Sequence, residues 1–271
     1  MSIGRWCLVA PSRPMSERPD SLVVDPELYS LTDERNGLSV VDVASITSAQ
    51  RRDMFDLLQI CYTNVSPAQF NRDLDEKEWA ILGTDVRSGG LWCFSTLRSL
   101  RATVDGERVL AFYSGDTASR PDTRGGATFA GTRLVIRKMF YERSKSLSAA
   151  DRFAWFTINS TSRGYRLTSQ IFREYVPTPG RPLGAADTRV VAELCRMKGL
   201  AFDPSTGIVR LENPTMPRES FGTGEASPPD DPYIRFFLAA NPGASHGERL
   251  ATLIELSAEN LTPVGHRMVF R

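Results

Sequence analysis

The dipeptide Asp105-Gly106 sits between two strand-like runs and constrains this chain more than any other feature. Leu91 to Leu97 and Ala102-Thr103-Val104 precede it, Val109 to Thr117 follows it, and all three are rich in apolar and β-branched residues. Asp-Gly between such runs predicts a tight hairpin, because both residues tolerate the positive φ that the favoured two-residue turn requires. The second arm then runs into Gly125-Gly126 and a periodic segment with Phe129, Leu134, Val135, Ile136, Met139 and Phe140. That spacing predicts an amphipathic helix with Arg133, Arg137 and Lys138 on its polar side.

The flanking segments extend the pattern. Leu38 to Ala44 reads as a strand, and the segment from Ser48 through Cys61 as a helix. Ser66-Pro67 opens a second helix, and Trp79 to Leu82 makes a further strand. After the central helix, Phe153 to Ile158 predicts a strand, and Ser162 to Tyr175 a helix that stops before Pro177. Further on come a helix over Ala186 to Lys198, a hairpin across Asp203 to Leu211 and a proline-rich loop from Asn213 to Pro232. A short helix near Ile234 to Ala239 and a strand around Leu250 to Leu256 complete the reading. Residues 1–37 hold Pro11, Pro14, Pro19 and Pro26 among many polar residues, a composition that predicts a flexible arm. Residues 38–271 are expected to form a single domain, with a core over 38–176 and a C-terminal elaboration over 177–271. The expected fold class is α/β of the α+β kind, a mixed, mostly antiparallel sheet flanked by helices.

Composition narrows the function classes. Thirty-three Lys and Arg against 32 Asp and Glu leave no global field for nucleic acid or an anionic membrane, so neither is an expected partner. Cys7, Cys61, Cys93 and Cys195 lack the CxxC spacing of a zinc ribbon or redox pair, and they are expected as thiols of a reducing, cytoplasmic compartment. With only His246 and His266, no metal site is expected. The short apolar run near the N-terminus breaks at Pro11, so no secretory signal is expected either.

The stretch from Phe112 through Asp116 to Thr128 carries the chemistry. A strand that enters a glycine-rich turn at a helix N-terminus presents unpaired amides and the positive end of a dipole, a combination suited to phosphate or pyrophosphate. Arg124 adds a charge there. The same glycines also serve a plain tight turn, and both readings remain open at this point.

This order of elements, strand, helix, helix, three antiparallel strands, Pro121-x-x-Arg124-Gly125-Gly126-Ala127, helix, strand, helix, resembles that of the GCN5-related N-acetyltransferase family. In that family the turn typically reads Arg/Gln-x-x-Gly-x-Gly/Ala. Arg124, Gly125, Gly126, Ala127 and Thr128 match it in part, with Ala127 and Phe129 where glycines are expected. The resemblance covers roughly residues 38 to 176. It implies an N-acyltransferase that moves an acyl group from a pantetheine thioester to a small-molecule amine. The donor would be acyl-coenzyme A or an acyl-phosphopantetheine on an acyl carrier protein, as in the long-chain N-acyl amino acid synthase branch. A carrier would meet the basic residues Arg120, Arg124, Arg133, Arg137 and Lys138.

The resemblance also implies roles. Asp116 falls where the family places a base, Tyr165 where it often has the acid that protonates the thiolate, and Asn159 where an Asn touches the pantetheine arm. Ser114 and the backbone amides from Ser114 to Asp116 suit alignment of the amine and an oxyanion site. Each residue also has a structural reading: local bonds at a strand end for Asp116, core packing for Tyr165, and a turn into a helix for Asn159. Two other functions share such a scaffold, an acyl-homoserine-lactone-type synthase that uses S-adenosylmethionine and a non-catalytic ligand-binding module.

Overall fold

The structure, a computed structural model, describes residues 30–123, 126–145, 151–218 and 230–270, with the backbone alone at 126–128. In chain order the first half comprises β1 (Thr32–Asp33), β2 (Leu38–Asp42), α1 (Ser48–Cys61), β3 (Tyr62–Thr63), α2 (Pro67–Asp75), β4 (Trp79–Thr84), β5 (Leu91–Val104) and β6 (Glu107–Ser119). Then follow α3 (Gly126–Lys145), β7 (Asp151–Asn159), α4 (Ser162–Ile171), β8 (Tyr175–Val176) and α5 (Ala185–Met197). The chain continues through β9 (Ala201–Asp203), β10 (Ile208–Arg210), β11 (Met216–Pro217), α6 (Pro232–Ala240), β12 (Arg249–Glu255) and α7 (Pro263–Phe270).

Local chemistry sets these boundaries. Thr47 and Gln50 form a capping box at the start of α1, and Ser66 caps α2, where Pro67 fills the first turn. Asp231 accepts from the amides of Tyr233 and Ile234 ahead of Pro232, which starts α6. Between β5 and β6, Asp105 and Gly106 hold φ of 53° and 81°, the paired positive values of the expected hairpin turn, and Val104 pairs with Glu107 to close it.

Among the described residues ten strands make one sheet, ordered β1-β2-β4-β5-β6-β7-β12-β10-β9, with β8 also paired to β12. Every pairing is antiparallel except β6 with β7, which α3 connects as a crossover. A separate two-stranded ribbon joins β3 to β11. The fold class is therefore the expected one, and β2, α1, α2, β4, β5, β6, α3, β7 and α4 follow the expected order.

Helices cover both faces. On one, Leu134, Ile136, Met139 and Phe140 of α3 pack with Leu97, Leu110, Phe112 and Trp155 of the sheet and with Met268 and Val269 of α7. On the other, α1 and α2 cover Ala80, Leu82 and Phe94, while Val190, Val191, Leu194 and Cys195 of α5 cover Leu100, Val109, Ala111 and Phe156. Alternate residues along each strand serve opposite layers, which is why Leu110 and Ala111 belong to different clusters. Cys61, Cys93 and Cys195 are buried and not disulfide-bonded, and burial pushes the thiols of Cys93 and Cys195 up to about 12. Cys7 lies outside the described residues.

Several expectations need correction. The end of the expected arm is ordered: β1 pairs with β2, and Asp33 caps the turn that Gly37 reverses at φ 62°. The helix after β7 ends at Ile171, and β8 replaces its last turn by pairing with β12. The ribbon strands β3 and β11 and the helix α7 were not expected. Most consequential, Arg137 and Lys138 are buried, 4% and 6% exposed, so the polar face assigned to α3 is covered. Arg137 Nε donates to the Met268 carbonyl of α7, and Lys138 lies 4.2 Å from the Trp79 ring centroid while pairing with Glu142. Neither is free to meet a carrier protein. Arg120 is exposed, Arg133 is half-buried, and Arg124 lies outside the described residues.

Candidate active site

The pairing of β6 with β7 runs from Arg108 and Asp151 to Tyr113 and Phe156 and goes no further. Beyond it β6 stays with β5 as far as Ser119, whereas β7 stays with β12 as far as Asn159. Two neighbouring strands thus part in mid-sheet, leaving a gap bounded by residues 114–119 and 157–159. At the point of divergence the register of β5 and β6 shifts: Ser95 opposes Thr117, but Leu97 opposes Ser114. Two steps on β5 match three on β6, which is a β-bulge at Gly115 and Asp116 opposite Thr96.

A bulge turns two consecutive residues to one face, and here that is the face of α2. A Cβ on Gly115 would lie 2.4 Å from Lys77 Cε and 2.7 Å from Thr96 Oγ1, so only glycine fits without movement. Asp116 is half-buried, and among the described residues no hydrogen bond or ion pair fixes its carboxylate. Desolvation pushes its pKa up, opposed in part by the charge of Lys77 and reinforced by Asp73. Lys77 is 8% exposed and donates to the Asp73 carbonyl at 2.7 Å. Burial lowers its pKa, and Asp116 opposes that shift. Lys77 and Lys198 both approach the Tyr113 ring, at 5.8 and 5.3 Å from its centroid, and Lys198 also bonds Glu76.

The other predicted residues are placed as follows. Ser114 Oγ accepts from Trp155 Nε1 at 2.9 Å, on the face opposite Lys77. Asn159 ends β7 across the gap, and its Nδ2 donates to Thr252 Oγ1 at 2.9 Å. Gly126, Ala127 and Thr128 form the first turn of α3, while Arg124 and Gly125 lie outside the described residues. Tyr165 stands apart from this group. It is 0% exposed, rings of Tyr175, Phe236 and Phe237 surround it, and its hydroxyl donates to the Pro177 carbonyl at 2.7 Å.

Residues that sequence reasoning missed complete the site. Tyr62 of the β3 ribbon donates its hydroxyl to the Thr117 carbonyl at 3.0 Å, and Cys61 Sγ approaches the Ser119 carbonyl at 3.4 Å. Burial, then the charge of Asp116, keep Tyr62 protonated well above the ordinary phenol range. Arg249, the first residue of β12, is 4% exposed and also acts on Tyr62. Lys77 stands between two acidic residues, and Arg249 follows Glu248, so both read as ordinary surface charges in the sequence.

The arrangement combines a carboxylate with a raised pKa, a stretch of β6 over 114–116 that no strand pairs on the β7 side, and a hydroxyl fixed at the Thr117 carbonyl, within one gap. Such an edge can hydrogen-bond an extended amide-containing chain as a missing strand would. A carboxylate tuned upward can take a proton from an amine. Among the described residues no cluster of His, Cys, Asp and Glu is grouped to hold a metal, and no helix is long and apolar enough to cross a membrane.

No family model matches the chain, and no curated protein does. Solved structures show partial likeness. A conserved protein from Enterococcus faecalis described as a probable N-acyltransferase is 17% identical at a TM-score of 0.36, over 50% of this chain and 33% of that one. Saccharomyces cerevisiae N-myristoyltransferase with bound myristoyl-CoA is 16% identical at 0.40, over 56% and 35%. A GCN5-related N-acetyltransferase from Kribbella flavida is 14% identical at 0.36, over 53% and 36%. This chain thus spans about a third of the length of each of the three.

Proposed function

We propose that the protein is an N-acyltransferase that moves an acyl group from a pantetheine thioester to a small-molecule amine. The observation that carries this reading is the parting of β6 from β7 at a bulge that bears Asp116. A pantetheine arm is extended and holds two amides, so it suits the edge of β6 over residues 114–116, short of the Thr117 and Ser119 carbonyls that Tyr62 and Cys61 occupy. The N-terminus of α3 would receive a pyrophosphate if the donor is acyl-coenzyme A, with Arg124, Gly125, Gly126, Ala127 and Thr128 proposed as the turn. An acyl carrier protein remains the other donor, although the burial of Arg137 and Lys138 removes part of the basic face proposed to meet it.

In this reading the thioester carbonyl lies against the bulge, whose amides stabilise the oxyanion as the amine adds. Asp116, accessible and without a fixed partner, takes the amine proton, and the bond to sulfur then breaks to release a thiolate. Ser114 is held by Trp155 beside the reacting carbon, and Asn159, fixed by Thr252, lines the opposite wall. Tyr165 would protonate the thiolate only by giving up its bond to Pro177, whereas the Tyr62 hydroxyl already lies on the β6 edge. Tyr62 is therefore our choice for orienting the acceptor.

The test is acyl transfer itself. Purified protein is given a series of acyl-coenzyme A and acylated carrier protein donors with a pool of amines, and released thiol is followed together with product mass. Thiol release that requires both donor and amine supports the reading. Absence of transfer from every donor, with correctly folded protein, overturns it.

A further inference from the structure

Lys77 lies in the link between α2 and β4, residues 76–78, and the link fixes which way it points. Glu76 and Glu78 on either side are exposed, and Lys77 between them is buried. Its amide donates to the Leu74 carbonyl and its ammonium to the Asp73 carbonyl, acceptors left open at the end of α2, where a cation is favoured. From there the side chain runs onto the bulge. Its Cε and Nζ lie 2.4 and 3.1 Å from where a Cβ on Gly115 would be, so the ammonium packs against the backbone of the residue that precedes Asp116. Thr96 closes the other side, its Oγ1 2.7 Å from the same point and donating to the Asp116 carbonyl at 3.5 Å.

Two opposite charges therefore sit side by side at the bulge. Among the described residues no carboxylate forms an ion pair with Lys77, and no cation forms one with Asp116. The other charged groups around them are committed elsewhere. Glu76 pairs with both Lys198 and Arg98, burial holds the phenols of Tyr62 and Tyr113 protonated, and Arg249 couples to those phenols rather than to Asp116. Asp73, one turn before Lys77, opposes ionisation of Asp116, and Lys198 adds a smaller effect of the same sign as Lys77. A buried ammonium is costly without a counter-charge, and a carboxylate near one is held in its charged form.

We infer that Lys77 is a positioning residue of this site, its ammonium holding the bulge in place and supplying the positive charge that keeps Asp116 in the ionised form a base requires. The word base rests on the acyltransferase reading, whereas the coupling of the two charges does not depend on turnover. Each group acts directly on the other, Asp116 favouring the ammonium and Lys77 the carboxylate, against a burial that disfavours both. Such coupling is reciprocal: whatever Lys77 takes from the proton affinity of Asp116, Asp116 adds to that of Lys77. A lysine that only caps the end of α2 would show neither effect.

The experiment follows both groups by NMR over a pH titration of the full-length protein, Asp116 through its carboxyl carbon and Lys77 through its Cε. Lys77→Met keeps the length of the side chain, removes the charge and is expected to raise the Asp116 midpoint by about one pH unit or more. Asp116→Asn is expected to lower the Lys77 midpoint by the same amount. Midpoints that move in neither variant overturn the inference. So does movement in only one while both are folded, since repacking of the bulge and not charge then accounts for it. If Lys77→Met fails to fold, because it also gives up the bond to Asp73, the Asp116→Asn titration decides alone. In transfer assays the acid limb of the Lys77→Met profile should move up together with the Asp116 midpoint. Coupled midpoints without transfer from any donor leave the coupling standing and remove the acyltransferase reading, and transfer with uncoupled midpoints does the reverse.

Discussion

Trp155 Nε1 donates to Ser114 Oγ across 2.9 Å, joining the paired part of β7 to the residue of β6 just beyond the last pair, Tyr113 and Phe156. The bond sits where the two strands part, so it fixes both the opening of the gap and the rotamer of Ser114. Trp155 is 8% exposed, and among the described residues its indole N–H has no other acceptor. Ser114→Ala should therefore leave a buried donor unpaired and cost about 1–3 kcal/mol of stability. Denaturant unfolding checks this. Trp155→Phe removes the donor together with part of the ring, and combining the two changes should cost less than the sum of the single losses.

Asp116 should set the acid limb of any acyl-transfer profile. Its folded-state pKa is raised by desolvation, so the carboxylate form that accepts a proton is lost already above the ordinary aspartate range as pH falls. Because the folded state holds this proton more tightly than the unfolded chain does, the group favours folding at low pH. That contribution is lost as pH rises from the unfolded pKa through the raised one. Asp116→Asn should lower kcat by about 10²- to 10⁴-fold and abolish the acid limb while the protein stays folded. A profile of unchanged shape in the variant would assign the base elsewhere.

Much of the fold was legible because local chemistry and burial agree there. Asp105-Gly106 announces its hairpin by residue type, Ser66-Pro67 its helix start, and the apolar period of α3 its packed face. The site was legible only in part. Asp116 was singled out from its place on a strand before a turn, but the bulge that turns it toward Lys77 depends on a register with β5 that no local pattern encodes. Arg137 and Lys138 read as solvated because α7, which covers Arg137, is only eight residues long and packs from more than a hundred positions away. Tyr62 pairs with Pro217 and Arg249 donates to the Thr215 carbonyl, so both are placed by a ribbon of two-residue strands, distant in sequence and too short to leave a signal there.

Gly115 should tolerate no side chain. Its Cβ direction is occupied by Lys77 and Thr96, at 2.4 and 2.7 Å, and Lys77 is itself buried and bonded to Asp73. Gly115→Ala must displace Lys77 or flatten the bulge, at a cost of about 1–3 kcal/mol for an overpacked site. Since either movement shifts Asp116, activity should fall along with the melting temperature. Gly180→Ala offers a contrast: nothing lies near its Cβ direction, and its positive φ of 81° supplies backbone strain alone, so transfer should be spared there.

Two phenols give the sharpest discrimination between structural and functional roles. Tyr165 donates to Pro177 inside a cluster of aromatic rings, and Tyr62 donates to Thr117 on the edge of the gap. Removing the Tyr165 hydroxyl orphans a buried carbonyl, so Tyr165→Phe should lower stability by about 1–2 kcal/mol. Its kcat should stay within a few-fold of wild type, since the hydroxyl is already committed. Tyr62→Phe should act the other way. The Thr117 carbonyl lies at a more accessible edge, so the melting temperature should move little. Acceptor KM should rise roughly 10-fold, the loss expected for about one hydrogen bond to a charged group. Thermal melts and steady-state kinetics on both variants read the two effects separately. A large loss of kcat in Tyr165→Phe with an unchanged melt would return that residue to the role of the acid that protonates the leaving thiolate.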